Sequence, residues 1–529
     1  MSFQECFITH TFFCRFRRGL SAAGMILALF MGGCSALGPD FKKPESNVST
    51  DWLTDGSVFS KDTAFQEKWW ETFNDPVLNS LIEKAYEQNL SLQVAGLKIM
   101  EARAQLGISK GNRYPQSQQI SGSISDVGVS ENSPNFNQAA DDSYTNHQVG
   151  FDAAWELDFW GRFRRAIQAS ESSLAVTEAD YDDALVILTA EVARIYVVIR
   201  TLEERLALVK SNITFQSESL RIATIRFDNG ATTELDVQQA TSSLADTQAL
   251  EPSLIRSLRQ ATNGLSVLLG MPPSDLSGLL NPGHANPSYV NGPGHIPVAS
   301  EMVTTGVPSD LLRRRPDVRL AEQFAASQSA LIGVAKADLF PSFSLTGSIG
   351  YQASNTGNSE GNDIFNSESL FFSSGPSFRW NIFNYGQIKN NVRIQDARFQ
   401  QSLVNYKSTV LTAYQEVEDA MVAYAQSQQE TSFRSTSASA ALRAVEIAKI
   451  QYREGSVDFQ RVIDSERFLV SQQDQWTQAR GDIALNLIAM YKALGGGWEI
   501  RDGHGVIPES MRQEMEQRTD WGDLLSEDK

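Results

Sequence analysis

The sequence predicts an α+β membrane protein in which amphipathic strands for a transmembrane barrel join long coiled-coil helices, the whole unit occurring twice in tandem. Three observations predict it. Residues recur at a nearly constant offset of 225 positions, apolar residues keep a heptad spacing over several turns, and short stretches alternate strictly between apolar and polar.

The N-terminus is an export signal. Arg15, Arg17 and Arg18 precede an apolar run over residues 20–31. A run of about 12 residues is too short to cross a hydrocarbon core of ~30 Å, yet it has the length of a signal-peptide core. Gly32 and Gly33 then place small residues before Cys34, as a bacterial lipoprotein signal peptidase requires. Cys34 is therefore expected to become a lipid-modified N-terminus, carrying N-palmitoyl and S-diacylglycerol groups. An ordinary secretory signal with an incidental cysteine is the alternative. Met31 departs from the leucine favoured at its place, whereas Ser35 suits sorting to the outer membrane. The other cysteines, Cys6 and Cys14, lie within the leader, so the mature body has no internal disulfide to draw on. The full chain has 45 basic and 63 acidic residues, a formal charge of −18; cleavage after residue 33 leaves 42 and 62. Such a balance gives nucleic acid no electrostatic footing, and suits either solubility or the passage of cations.

The duplication pairs Gly122 with Gly347, Trp155 with Trp380, Gly161 with Gly386, Tyr181 with Tyr406, Gly230 with Gly455 and Leu244 with Leu469. Upstream, one more residue of offset pairs Gly107 with Gly333, Lys110 with Lys336 and Pro115 with Pro341. Each copy has the same internal order. The alternating stretch Val149, Phe151, Ala153, Trp155, Leu157 and Phe159 has polar or small residues between, and Phe343, Leu345, Gly347, Ile349 and Tyr351 repeat the pattern. Phe378, Trp380 and Ile382 form a further strand, and Ile120, Gly122 and Ile124 the weakest one. One greasy face and one polar face are what a membrane barrel with a wet lumen requires. Four strands cannot close a barrel, since the smallest have about eight, and open edges are not tolerated in lipid. Several chains must therefore pool their strands.

Helical spacing follows the strands. Leu188, Val192, Ile195, Ile199, Leu202, Leu206, Val209 and Ile213 alternate steps of three and four, as do Val410, Tyr414, Val417, Met421 and Tyr424. Positions 161–227 hold no proline, which predicts one helix of about 67 residues, about 100 Å long. The sequences Phe227-Asp228-Asn229-Gly230 and Tyr452-Arg453-Glu454-Gly455 interrupt the helical pattern, each ending on a glycine able to take the left-handed conformation that reverses a helix. Pro252 is expected to kink or end a segment of the returning helix. Arg162, Arg164 and Arg165 stand where a barrel would meet the helices, suiting a headgroup zone or a plain solvated face.

These residues resemble the TolC-like outer membrane efflux family, in its lipoprotein branch. The landmarks are Gly38-Pro39-Asp40-Phe41 with Pro44, then Trp69-Trp70, Phe73, Asp75-Pro76 and Leu78, and above all Leu311-Leu312-Arg313-Arg314-Arg315-Pro316-Asp317-Val318 with Ala321-Glu322. The resemblance runs from Cys34 to about Gly497. It implies a homotrimer with a twelve-stranded barrel, four strands per chain, continuous with a periplasmic coiled-coil barrel. It also implies a periplasmic membrane-fusion adaptor and an inner-membrane transporter of the RND type as partners. In the family the hairpin tips contact the adaptor and close the tunnel. Asp464 matches an aspartate of that closing region, Asp236 holds a comparable place in the first hairpin, and Arg461, Arg453, Tyr452, Gly455 and Gly230 complete the candidate gate and adaptor contact. Arg461 stands where some relatives have an acid and Val457 where some have a basic residue. An aspartate near a helix start also simply complements the helix dipole.

The organisation expected is a leader at 1–33, an extended segment at 34–68, a first efflux repeat at 69–270, a connecting segment at 271–307, a second repeat at 308–497 and an acidic, aperiodic, disordered tail at 498–529. No enzyme is expected. His10, His147, His284, His295 and His504 are scattered without metal-ligand spacing, and no phosphate loop or nucleophile elbow occurs. No cofactor beyond the lipid and no nucleic-acid partner is implied. The competing reading is a structural or adhesive coiled-coil surface lipoprotein without transport; lipid-suited strands within duplicated hairpins separate the two.

Overall fold

The computed structural model describes residues 36–45, 51–54, 59–60, 67–128, 130, 132, 143–281, 295–298, 303–304, 314–355 and 364–525. Cys34, Ser35 and residues 311–313 lie outside the described residues. The chain divides into two units, one drawn from Met1–Pro44, Glu101–Val176 and Glu322–Asn405, the other from Glu45–Met100, Thr177–Ala321 and Tyr406–Lys529.

The first unit holds a four-stranded antiparallel sheet in the order β1 (Ser117–Gly128), β2 (Ser143–Leu157), β3 (Ser342–Ser354) and β4 (Leu370–Arg379). The alternation in the sequence sets its register. Ile120, Phe151, Ile349 and Phe372 stand opposite one another across all four strands, and all four are exposed. One residue along, Gln119, Asp152, Ser348 and Ser373 form the matching polar row. Because side chains alternate with period two, these rows lie on opposite faces: one apolar and uncovered, one polar. Among the described residues the outer edges of β1 and β4 have no strand beside them.

The helices are α1 (Pro76–Gln88), α2 (Leu90–Gly111), α3 (Arg162–Asp228), α4 (Glu234–Leu268), α5 (Pro316–Ala337), α6 (Gln387–Arg453), α7 (Phe459–Ala493) and α8 (Glu509–Arg518). The proline-free stretch forms one helix as expected. Both α3 and α6 have 67 residues, about 100 Å at 1.5 Å per residue. Their returning partners α4 and α7 have 35 each. Starting positions differ by 225 in both cases, and those of α2 and α5, with 22 residues each, by 226. The heptad residues Leu188, Val192, Ile199, Val410, Val417 and Met421 are buried.

One expectation is narrowed and one is corrected. Pro252 does not end α4, which runs unbroken from Glu234 to Leu268. Proline costs a helix interior about 3 kcal/mol, but Leu254, Leu258, Thr262 and Leu265 bury one face after it, and that packing outweighs one lost bond. The acidic tail is not disordered throughout: a short turn at Trp498–Arg501, helix α8 and a second turn at Gly522–Leu525 are formed, with Ile500, Met515 and Leu525 buried. Charge in the tail hid three widely spaced apolar anchors.

Candidate functional site

The tips of the two hairpins, both in the second unit, are built by the same chemistry. Gly230 has φ +70° and Gly455 φ +76°. At the first tip the Gly230 N–H donates to Phe227 O at 2.8 Å and the Ala231 N–H to Arg226 O at 2.8 Å. At the second, Gly455 donates to Tyr452 O at 3.0 Å and Ser456 to Gln451 O at 2.9 Å. Both are Schellman closures, which satisfy the last carbonyls of a helix and need a left-handed residue at the turn. The chain re-enters a helix at Glu234 and at Phe459, where Asp458 caps α7 by accepting from the Arg461 N–H at 3.2 Å.

Behind the turns Ala223, Ala240, Ala448, Tyr452, Phe459, Val462 and Ile463 form one core. Tyr452 is part of this core. Only 5% exposed, its ring lies 5.0 Å from that of Phe459 and 4.4 Å below the Arg226 guanidinium, which also donates to Tyr452 O. Burial, and next the nearby Asp236 carboxylate, push the Tyr452 hydroxyl above its ordinary pKa. Asp236 accepts from the Thr232 hydroxyl and is half-buried. Asp464, Arg461 and Arg453 are exposed instead, and Asp464 accepts from Gln460 Nε2 at 2.8 Å. The tip therefore gathers Tyr452 and Asp236 into its base and leaves Asp464, Arg461 and Arg453 facing outward.

One buried ion pair here escaped sequence reasoning. Lys449 Nζ lies 2.9 Å from Glu466 Oε1, and the same oxygen accepts from the Ser219 hydroxyl at 2.5 Å. Glu466 is 4% exposed. A signal existed: Val445, Lys449 and Tyr452, like Val462, Glu466 and Leu469, follow steps of four and three, so an acid and a base each interrupt an apolar seam. Farther along, Arg205 pairs with Asp474 at 2.7 Å and Arg480 with Glu204 at 2.7 Å, so polar contacts continue between α3 and α7.

The family-like landmarks have structural roles. Trp69 is fully buried and stacks on Tyr491, while Asp75 caps α1 through the Val77 and Leu78 N–H groups and accepts from the Tyr196 hydroxyl at 2.6 Å. Arg315 donates to Ala493 O at 2.6 Å, to Asp317 and to Glu416. A cleft of about 610 Å³ opens there, and Asp183 on its wall is pushed up to about 6 by burial and by Asp317. In the first unit Arg165 is buried, neither a headgroup ligand nor a solvated face. It donates to Leu37 O at 3.0 Å, Ala36 O at 3.4 Å, Gly38 O at 3.3 Å and Asp40 at 2.8 Å, clamping the segment just after Cys34. Arg164 pairs with Asp158 at 3.2 Å, and Arg162 with Glu156 at 3.4 Å.

A short antiparallel sheet with an uncovered apolar face, attached to helical hairpins of this length, defines a class: outer-membrane channel proteins. The chain belongs to the outer membrane efflux protein family, whose model matches residues 81–271 and 307–496. It is 31% identical over 485 residues to the solvent efflux pump outer membrane protein SrpC of Pseudomonas putida, covering 90% of this chain and 98% of that one. It is 27% identical over 470 residues to the probable outer membrane lipoprotein SilC of Salmonella typhimurium, covering 88% and 96%. Its fold matches the solved outer-membrane channel OprN with a TM-score of 0.78 and 31% identity, over 88% of this chain and 99% of that one. The chain is thus an outer-membrane efflux protein.

Proposed function

We propose that three copies of this chain form the exit channel of a tripartite efflux system, with four strands from each copy closing a twelve-stranded barrel. The observation that carries this reading is the sheet itself. Its apolar row is uncovered, its two edges lack neighbours among the described residues, and four strands are too few to close. The equal lengths and constant spacing of the paired helices support a duplicated unit. So does one contact made twice: Asn89 donates to Leu268 O at 2.9 Å, and Arg315, 226 positions later, donates to Ala493 O, 225 positions later. The channel passes what a periplasmic adaptor and an inner-membrane transporter of the RND type deliver, and it spends no energy of its own.

At the periplasmic end Gly230 and Gly455 shape the tips that meet the adaptor, while Asp464, outward-facing and unburied, contributes a ring of negative charge at the entrance. Arg453 and Arg461 stand beside it, and Asp236 braces the tip from within. Acidic rings at a constriction favour cations. The purified protein reconstituted in planar bilayers is expected to conduct, with Asp464→Asn lowering divalent-cation block severalfold; absence of any conductance from a folded trimer overturns the channel reading, and unchanged block removes Asp464 from the gate.

Cys34 carries the anchoring lipid in this reading, supported by the leader before it and by the likeness to SilC. Cells fed labelled palmitate are expected to label the chain, and Cys34→Ser to abolish the label; a Cys34→Ser chain that still incorporates palmitate rules the site out.

A further inference from the structure

The contact between the two halves of one chain is a template for a contact between chains. In the first unit Trp160, just after β2, stacks on Phe340, just before β3, with ring centroids 4.7 Å apart, and its indole N–H donates to Pro341 O at 2.8 Å. The residue 225 positions after Trp160 is Tyr385, beyond β4. Those 226 positions before Phe340 and Pro341 are Tyr114 and Pro115, before β1. Neither tyrosine is covered as Trp160 is. Tyr385 is 102% exposed in a left-handed conformation, φ +49°, and Tyr114 is 68% exposed. A bulky residue in that backbone region is uncommon and calls for a reason.

The two halves are alike in the contacts around these tyrosines. Trp155 Nε1 donates to Arg113 O at 3.1 Å, and Trp380 Nε1 donates to Leu339 O at 3.1 Å, the same pairing one repeat later. Within a chain Tyr114 and Tyr385 flank opposite edge strands, three strand spacings or about 14 Å apart. They cannot satisfy each other there.

We propose that a second copy covers this face by repeating the internal contact: Tyr385 stacks on the partner's Tyr114 beside the partner's Pro115. With it, β4 pairs antiparallel with the partner's β1, placing Arg379 opposite the partner's Ser121 and Phe378 opposite the partner's Gly122. This copies the pairing of Ala154 with Thr346 and Ala153 with Gly347 in the existing sheet. The register has an independent check. Phe378 lies in the row of Leu157 and Phe343, and Gly122 in the row of Val149, both on the apolar face, so that face stays continuous across the junction. A slip of one residue reverses every side chain. The inference rests on the oligomeric reading above and adds which residues meet.

Two differently tagged copies, one carrying Tyr114→Cys and the other Tyr385→Cys, are co-expressed, and intact envelopes are treated with a short bis-maleimide. A single chain with Trp160→Cys and Phe340→Cys calibrates the reach through its internal link. The expected product is a covalent species bearing both tags, absent when either variant is present alone. If no mixed-tag species forms while amine cross-linking of the same envelopes still yields trimers, the proposed contact is wrong and the trimer stands. If amine cross-linking yields only single chains, the trimeric reading fails and the contact with it.

Discussion

Gly333→Ala is expected to lower the stability of the detergent-solubilised protein by about 3 kcal/mol and to free residues 36–40 for proteolysis. A Cβ at Gly333 would stand 2.4 Å from Leu37 O and 2.7 Å from Arg165 Cγ, and the neighbouring Gly38 already brings its own Cβ position within 2.6 Å of Gly333 Cα. Backbone meets backbone here, so neither side can give way as a flexible side chain would. Moving the segment also breaks the hydrogen bonds from Arg165, a residue only 5% exposed, to three carbonyls and Asp40, leaving its guanidinium with Gln168 alone. Gly107, 226 positions earlier, has nothing within 4 Å of the same position. Gly107→Ala in the same experiment is therefore expected to be neutral or to stabilise by up to about 1 kcal/mol, as alanine normally does in a helix. Equal thermal midpoints for Gly333→Ala and the parent would show that the clamp does not hold.

Arg315→Ala is expected to cost about 2–4 kcal/mol and to loosen the end of α7. Its guanidinium ties Ala493 O to Asp317 and Glu416, and Gly495, which closes α7 with φ +74°, packs directly on its side chain. Breaking a buried ion pair costs about 3–5 kcal/mol; the lower figure applies because Asp317 and Glu416 keep 31% and 50% of their side chains in water. Lysine is not a rescue, since one ammonium cannot present the planar fork that reaches a carbonyl and two carboxylates together. Thermal unfolding of Arg315→Ala and Arg315→Lys in detergent checks both statements, and a midpoint within error of the parent for either variant contradicts this account.

The alternation over residues 149–157 was enough to place β2 and its apolar face, because a strand exposes its pattern with period two regardless of what it pairs with. The absence of proline and the glycine after Asn229 were enough for the length of α3 and for its reversal, because helix continuation and termination are decided within a turn or two of chain. The same local logic left open whether Pro252 ends its helix, and α4 runs on past it; in the tail it failed, where Met515 and Leu525 are buried behind a charged composition. At the tips it placed the reversals at Gly230 and Gly455, while the packing of the Tyr452 ring into the core had no local signal.

Local chemistry written along this chain thus determined the strands, the helices and their reversals. Packing between distant segments decided the rest: that Arg165 grips the chain behind Cys34, that Lys449 and Glu466 neutralise each other inside a seam, and that Arg315 locks α7. The physical reason is separation along the chain. A turn or a period depends on neighbours a few residues away, whereas Arg165 reaches Asp40 125 positions off and Arg315 reaches Ala493 O 178 positions off, and only folding brings such partners together.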